Sequence, residues 1–384
     1  MSKFKRNLLI IFIIIISTTF IGCWNYREIN EMAIVTACSI DKNYSNNKYI
    51  VSLEVIRAIH GERGGTISSK IYQNQGDTLF ETVRNTISTI GRKAYWGHNE
   101  VVIISKSIAE SDLSPVLDWL FRDQEPRLDM NVLISKDTTA EDILKLSPSL
   151  DNIVGLDISK TISNQKNNNR FPKAEVSDVV GNFTKEERII LIPLAGRQIG
   201  VSDNITIEGS AILKREKVVG YLSAEDTFNA LWLQGKVKTG TFVIKNLIKP
   251  NADATIEIFN SKTKTKFINT NNKKEIMVNI KADVSLAELS DNIPFQKKED
   301  MEKLKEGIRK SIEERLTNTI KKVQVENKTD VFNFYNKVRI YDKNYYKKVS
   351  SNWGEEFSSI PVIVKADVYI RGSAMASKNI KGEK

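Results

Sequence analysis

The apolar run that opens this chain is too short to cross a bilayer, and it leads into a cysteine. From Leu8 to Ile21 it holds 14 residues, against the roughly 20 that a membrane-spanning helix needs. Lys3, Lys5 and Arg6 stand before it, and the small polar residues Ser17, Thr18 and Thr19 lie near its end. A cationic start, an apolar middle and small residues before a cut describe an export signal. In Phe20-Ile21-Gly22-Cys23 the cysteine stands at the cut itself, which makes the pattern that of a bacterial lipoprotein signal, with Phe20 where an aliphatic residue is usual. Cys23 is then the lipid-attachment residue: diacylglycerol joins its sulfur by a thioether, an acyl chain joins its amine, and it becomes the mature N-terminus. One acyl chain holds a protein marginally, whereas two, at about 0.8 kcal/mol per buried methylene, hold it firmly. The rival reading, a plain transmembrane anchor, needs a longer run. What folds is therefore the chain after Cys23, as a soluble body on the outer face of a cytoplasmic membrane.

With the signal at 1–22 removed, about 362 residues remain, too many for one compact core and enough for two or three domains. The formal charge of +10 falls to about +7, because the signal carries three cations and no acids. Basic and acidic residues alternate closely, as in Lys297, Lys298, Glu299, Asp300 and Glu302, which suits a solvated surface better than a nucleic-acid groove. A mildly cationic body also suits an anionic membrane. Besides Cys23 only Cys38 remains, so no intramolecular disulfide and no cysteine zinc site is expected. Cys38 stands in the alternating run Ala33 to Ile40, where it reads as a small buried strand residue.

Strand and helix periods alternate along the chain. Met32 to Asp41 and Tyr49 to Ile59 read as a hairpin turning through 42–48, followed by a glycine-containing loop at 61–65. From Asp77 the period becomes helical, with Leu79, Phe80, Val83, Ile87 and Ile90 on one face, a Thr78/Glu81 capping box and a stop at Gly91. Glu100 to Ile104 and Asn131 to Ile134 read as strands, with a helix from Ser114-Pro115 between them. A second capping box, Thr138/Glu141, opens a helix at Ile143 and Leu144, and 165–170 reads as an exposed loop. Ile189 to Leu194 is a strand, Ile205 to Tyr221 a hairpin turning near 214–217, and Ala224 to Leu233 a short helix. Strands fill 241–286, broken at Pro250 and at 269–273. The longest helix, Gln296 to Val325, carries an apolar stripe of Met301, Leu304, Ile308, Ile312, Leu316, Ile320 and Val323. A further helix is expected near Thr329-Asp330, a closing strand at Val362 to Ile370, and a frayed tail from Ser377. The fold class is α+β (mixed α/β), in several domains whose mixed or antiparallel sheets carry packed helices. The expected division is 24–150, 151–240 and 241–376, with a tail at 377–384.

No catalytic constellation assembles along the sequence. His98 and His60 are the only histidines and neither has a metal-spaced partner, so His98 reads as a structural hydrogen-bonding residue and Tyr95 and Trp96 as packing or interface aromatics. There is no Gly-x-Ser-x-Gly elbow and no phosphate loop, and the glycines at 61–65 are too few to cradle an anion. The adjacent acids Glu186-Glu187 and Glu355-Glu356 read as solvated surface, and Arg122-Asp123 as an ion pair fixing a turn. Trp24 and Tyr26 sit directly after the lipid, where they either enter the headgroup region or pack on the first domain.

Three stretches together resemble the spore germination Ger(x)C lipoprotein family, the C subunits of nutrient germinant receptors. They are Gly22-Cys23-Trp24-Asn25-Tyr26-Arg27-Glu28-Ile29-Asn30 running into Ala33-Ile34-Val35; then Gly76-Asp77-Thr78-Leu79-Phe80-Glu81 with Gly91-Arg92-Lys93-Ala94-Tyr95-Trp96-Gly97-His98 and Phe121-Arg122-Asp123; then Trp353-Gly354-Glu355-Glu356-Phe357 with 362–372. Asn25 replaces the family's common Asp. The resemblance implies a non-enzymatic, lipid-anchored subunit required for germination, with three mixed α/β domains in an elongated body. It implies two integral membrane subunits as partners, a place on the outer face of the spore inner membrane, and nutrient bound elsewhere in the complex. No cofactor or metal is expected beyond the covalent lipid on Cys23. The alternative is an extracytoplasmic solute-binding lipoprotein that captures the nutrient directly.

Overall fold

The computed structural model describes residues 31–371 except 62–63, 138, 199, 201–203, 248–249, 271–272 and 291–297, with isolated residues 4, 5, 7, 12 and 28 before them. Two sheets carry the fold. The chain enters on β1 (Met32–Asn43), turns back on β2 (Lys48–Gly61) and again on β3 (Gly64–Gly76). Strand pairing therefore runs into the loop expected at 61–65, and β3 pairs with β2 along its whole length, from Tyr49 opposite Gly76 to Gly61 opposite Gly64. The segment TISSKIYQNQ alternates too weakly in hydropathy to announce a strand; it is held as an edge by its partner's backbone.

The helix expected across 77–90 is two, α1 (Leu79–Arg84) and α2 (Thr86–Ile90). Thr78 accepts from Glu81 N as foreseen, and Gly91 ends α2 with φ of 72°. The break falls at Asn85, where the Thr86 hydroxyl bonds the Val83 carbonyl at 2.6 Å and competes with the helical ladder. The break turns Phe80 and Ile87 outward, while Leu79 and Val83 remain buried.

Then follow β4 (Lys93–Tyr95), β5 (Val101–Ile104), α3 (Lys106–Ser111), α4 (Ser114–Arg122), β6 (Asn131–Ser135), α5 (Glu141–Leu144), α6 (Val154–Ser163) and α7 (Val176–Asn182). They are followed by β7 (Ile189–Arg197), β8 (Ile205–Lys214) and β9 (Lys217–Leu222). The sheet order is β3-β2-β1-β5-β6-β7-β8-β9, with β4 beside the start of β1. Its centre, β1, β5, β6 and β7, is parallel, and its flanks are antiparallel. Helices cover both faces of the centre. Val102 and Ile104 meet α3 and α4 on one side; Val101 and Ile103 meet α5 and α6 on the other. That is why β5 is buried at every position. Cys38 is fully buried among them, and burial pushes its thiol up, so it packs as a small hydrophobe. The sheet runs on past residue 150, because β6 pairs with β7 (Ile134 opposite Leu194).

Two helices on the second face are capped from a distance. Asp41 on β1 accepts from Ala140 N (2.7 Å) and Glu141 N (3.0 Å) at the start of α5. The expected Thr138 cap lies outside the described residues. Glu54 on β2 accepts from Val154 N and Gly155 N, each at 2.8 Å, at the start of α6.

The second sheet begins after α8 (Ala224–Leu233), in the order β10 (Gly240–Ile244), β11 (Ala254–Thr270), β12 (Lys273–Leu289), β13 (Val362–Ile370). Between β12 and β13 lie α9 (Lys298–Glu326), α10 (Phe334–Tyr341), α11 (Lys343–Val349) and α12 (Trp353–Ser359). The foreseen stripe of α9, Leu304 to Val323, packs against Ile276, Val278 and Ile280, with Met301 half-buried at its end. The helix expected at Thr329-Asp330 starts later, at Phe334. Asp330 is instead buried in the preceding turn, where its carboxylate accepts from Phe332 N, Tyr335 N and Trp353 Nε1.

Candidate functional site

Cys23, with Trp24 and Tyr26, lies outside the described residues. The second resembling stretch folds into one corner of the first sheet. There β4 runs parallel to the start of β1, with Met32 opposite Lys93 and Ile34 opposite Tyr95, so the corner is where the chain enters the sheet. Arg84 on α1 is its hub. Its Nη1 donates to Glu125 at 2.9 Å and its Nη2 lies 3.5 Å from Asp123, while Lys93 reaches the same Glu125 oxygen at 2.6 Å. Burial works against the Glu125 carboxylate, yet Lys93 and Arg84 together hold it below the usual range. Trp119 Nε1 donates to Asp123 at 3.3 Å, and the Trp119 ring meets Trp96 edge-on with centroids 5.5 Å apart.

The pairing expected between Arg122 and Asp123 does not form. Arg122 points to solvent and bonds Asp118 one turn back at 2.5 Å, whereas Asp123 turns inward to Trp119 and Arg84. Neighbouring residues at a helix end face different directions, and the i,i+4 partner is the one within reach. His98 is exposed and sets its ring edge-on to Tyr95 at 5.9 Å. The side chain of His60 lies outside the described residues. No group of three metal-ligating side chains occurs among the described residues.

This network holds aromatic rings out to solvent. Phe80 is 52% exposed with the Arg84 guanidinium 4.7 Å over its ring, Phe121 is 67% exposed, and Tyr95 is 40% exposed. Beside Phe121, between α4 and α7, an apolar groove of about 700 Å³ is lined by Pro115, Leu117, Val180 and Phe183. Sequence reading did not single out Arg84 or Glu125 and took Lys93 only as part of the Gly91–His98 stretch, since no local spacing joins Glu125 to residues more than thirty positions earlier.

The third stretch is not brought to this corner. Trp353 and Phe357 are buried in the core of the second sheet, and Glu355 pairs with Lys328 at 3.0 Å. Glu356 accepts from the Tyr345 hydroxyl. Glu187, read as solvated, instead lies half-buried where the two cores meet, with the Tyr346 hydroxyl at 3.4 Å. Burial, with Asp330 adding to it, pushes its carboxyl up from 4.5 to about 7, against the pull of Lys214 and the Tyr346 hydroxyl; Glu186 adds a smaller push upward. A folded-state value raised in this way favours the neutral form. The stability it contributes is full below about 4.5 and is lost as pH rises through about 7. Glu187→Gln is therefore expected to match the parent protein near pH 4.5 and to exceed it at pH 8 by about 1 kcal/mol, the shift being discounted for solvent screening. Thermal melts of both proteins across that range check this; parallel curves would refute it. A polar groove of about 610 Å³ opens nearby, lined from the first half by Lys173 and Lys185 and from the second by Lys236, Asn333, Tyr335 and Arg339.

Residues 25–196 match the family model described as the spore germination protein N-terminal domain, and 208–374 match the spore germination B3/GerAC-like C-terminal model. Similar proteins include spore germination protein KC of Bacillus subtilis (strain 168), 25% identical with 98% of each chain covered. Spore germination protein GerQC of Bacillus cereus is 24% identical over 95% of this chain and 98% of that one. The crystal structure of the GerBC protein matches with a TM-score of 0.59 at 20% identity, covering 87% of this chain and 97% of that one, which is a likeness of fold.

Proposed function

Because the chain belongs to the Ger(x)C family of spore germination proteins, we propose that it is a lipid-anchored, non-enzymatic subunit of a nutrient germinant receptor. The observation that carries this reading is the corner at which the chain enters the first sheet. Exposed Phe80, Tyr95 and Phe121, braced by Arg84 and continued by an apolar groove, have the composition of a protein-binding surface, where aromatic residues and arginine are enriched. Met32 lies nine residues after Cys23, which at full extension spans about 30 Å. A lipid on Cys23 would therefore keep this corner close to the membrane, within reach of two integral subunits on the outer face of the spore inner membrane. Confinement to the membrane plane raises the effective concentration of the surface beside its partners. The assembled complex then couples nutrient binding, elsewhere in the receptor, to germination.

Cys23→Ala is expected to abolish acylation, to release the protein from the membrane fraction and to impair germination. Intact mass, fractionation and a germination assay read the three effects. A variant that stayed wholly with membranes and supported germination would show the tether to be dispensable. A second reading, direct capture of the nutrient, is favoured by the polar groove between the two halves, whose walls offer cations, amides and the carboxylates of Asp178, Glu186 and Asp330 to a small polar solute. Calorimetry of the protein against amino acids and sugars separates the two.

A further inference from the structure

Among the described residues the second sheet has helices on one face only. On the open face, neighbouring strands place Lys262, Lys281 and Asp367 in one row, Lys264, Asn279 and Lys365 in the next, and Lys266, Met277 and Ile363 in a third. A fourth row, Asn260, Asp283 and Tyr369, borders the first. Side chains alternate across a strand, so inward Val278, Ile280, Val364 and Val368 are buried while the lysines between them stand in solvent. The two acids in these rows are already answered, Asp283 by Arg371 at 2.7 Å and Asp367 by Lys281 at 3.7 Å. Lys262, Lys264, Lys266 and Lys365 make no ion pair among the described residues. Tyr369 is 66% exposed and Ile363 is 36% exposed in the same array.

We propose that this face rests on an anionic lipid headgroup layer. The proposal uses the reading above only in holding that the chain is kept at a membrane. The face is a sheet surface, and its cations stand on long flexible stems, strand beside strand about 5 Å apart, so that many headgroups are met at once. Lysine stems can lie along an apolar boundary while the ammonium reaches outward to phosphate, and exposed Tyr369 and Ile363 suit the interfacial zone. An acidic protein would meet the same charge, but lysines spread over a flat face without a pocket are matched most directly by a charged plane.

The test uses the mature chain from residue 23 carrying Cys23→Ala, so that neither the apolar signal nor a lipid is attached, with vesicles of phosphatidylcholine alone or with phosphatidylglycerol added. Partitioning to the anionic vesicles is expected to exceed that to neutral ones and to fall steeply toward about 0.5 M salt. Replacing Lys262, Lys264, Lys266 and Lys365 by Gln is expected to weaken it by roughly 1,000-fold, about fivefold for each lysine near an anionic surface. Neutralising Lys303, Lys310 and Lys321 on α9 instead is expected to change it little. All seven side chains are exposed, so folding is checked simply by an unchanged melt. Equal binding of the two variants, or equal binding to neutral vesicles, would overturn the proposal. So would retention by an acidic protein partner without binding to anionic lipid. A mass measurement finding Cys23 unmodified in the native protein would sink the tether reading while leaving the vesicle result standing.

Discussion

Glu54→Ala is expected to destabilise the protein by about 4 kcal/mol, as measured by equilibrium denaturation, because it leaves several buried donors unanswered. Glu54 is 1% exposed, and its two carboxylate oxygens accept four hydrogen bonds. Two come from hydroxyls, Thr36 at 2.8 Å and Ser69 at 2.7 Å; two come from the first backbone N–H groups of α6. A helix start left without acceptors in the interior loses both the capping bonds and the favourable end of its dipole. Water cannot replace the carboxylate easily, because α6 lies directly on β1: a Cβ on Gly155 would stand 2.3 Å from the Thr36 carbonyl oxygen. Glu54→Gln retains one acceptor and the volume of the side chain, so its cost is expected to be smaller, about 2 kcal/mol. A loss below about 1 kcal/mol for the Ala variant would show that α6 finds other acceptors.

The second large effect is expected in association. Phe80→Ala combined with Phe121→Ala is expected to weaken binding to the integral subunits proposed as partners at least 30-fold, since exposed aromatics at the centre of an interface commonly contribute about 2 kcal/mol each. Both rings are more than half exposed, so the melt should move little. The Phe80 replacement also removes the surface on which the Arg84 guanidinium rests, and Arg84 keeps its bonds to Glu125 and Asp123. Titration of the purified integral subunits against parent and variant in detergent reads the change directly. Unaltered affinity with unaltered folding would place the partner surface elsewhere on the body.

The second half of the chain was legible largely because its elements carry long regular periods. The stripe of α9 repeats every three or four residues over about six turns, and β11 and β12 alternate along much of their seventeen residues each, with register shifts near Thr255 and Ile258. The limits of α8 and β13 likewise coincide with those read from apolar spacing and flanking polar residues. The first half was less legible. The sequence reading assigns no element to 154–163, although Val154, Ile158 and Ile162 recur at four-residue steps, nor to 176–182. It found the motif residues of the entry corner but not the ion network that binds them, and it paired Arg122 with the wrong carboxylate.

Period, turn composition and the cap at Thr78 are relations between neighbours in the chain, so the residues state them without help from the fold. The export-signal pattern before Cys23 is also a relation between neighbours, and its reading as a lipid-attachment site is a proposal. The caps that Asp41 and Glu54 supply join positions about a hundred residues apart, and so exist only once β1 and β2 have met α5 and α6. Which rings stand in water, which glutamate lies between two cores and which strand face stays uncovered follow from packing alone, because burial is a property of what surrounds a side chain.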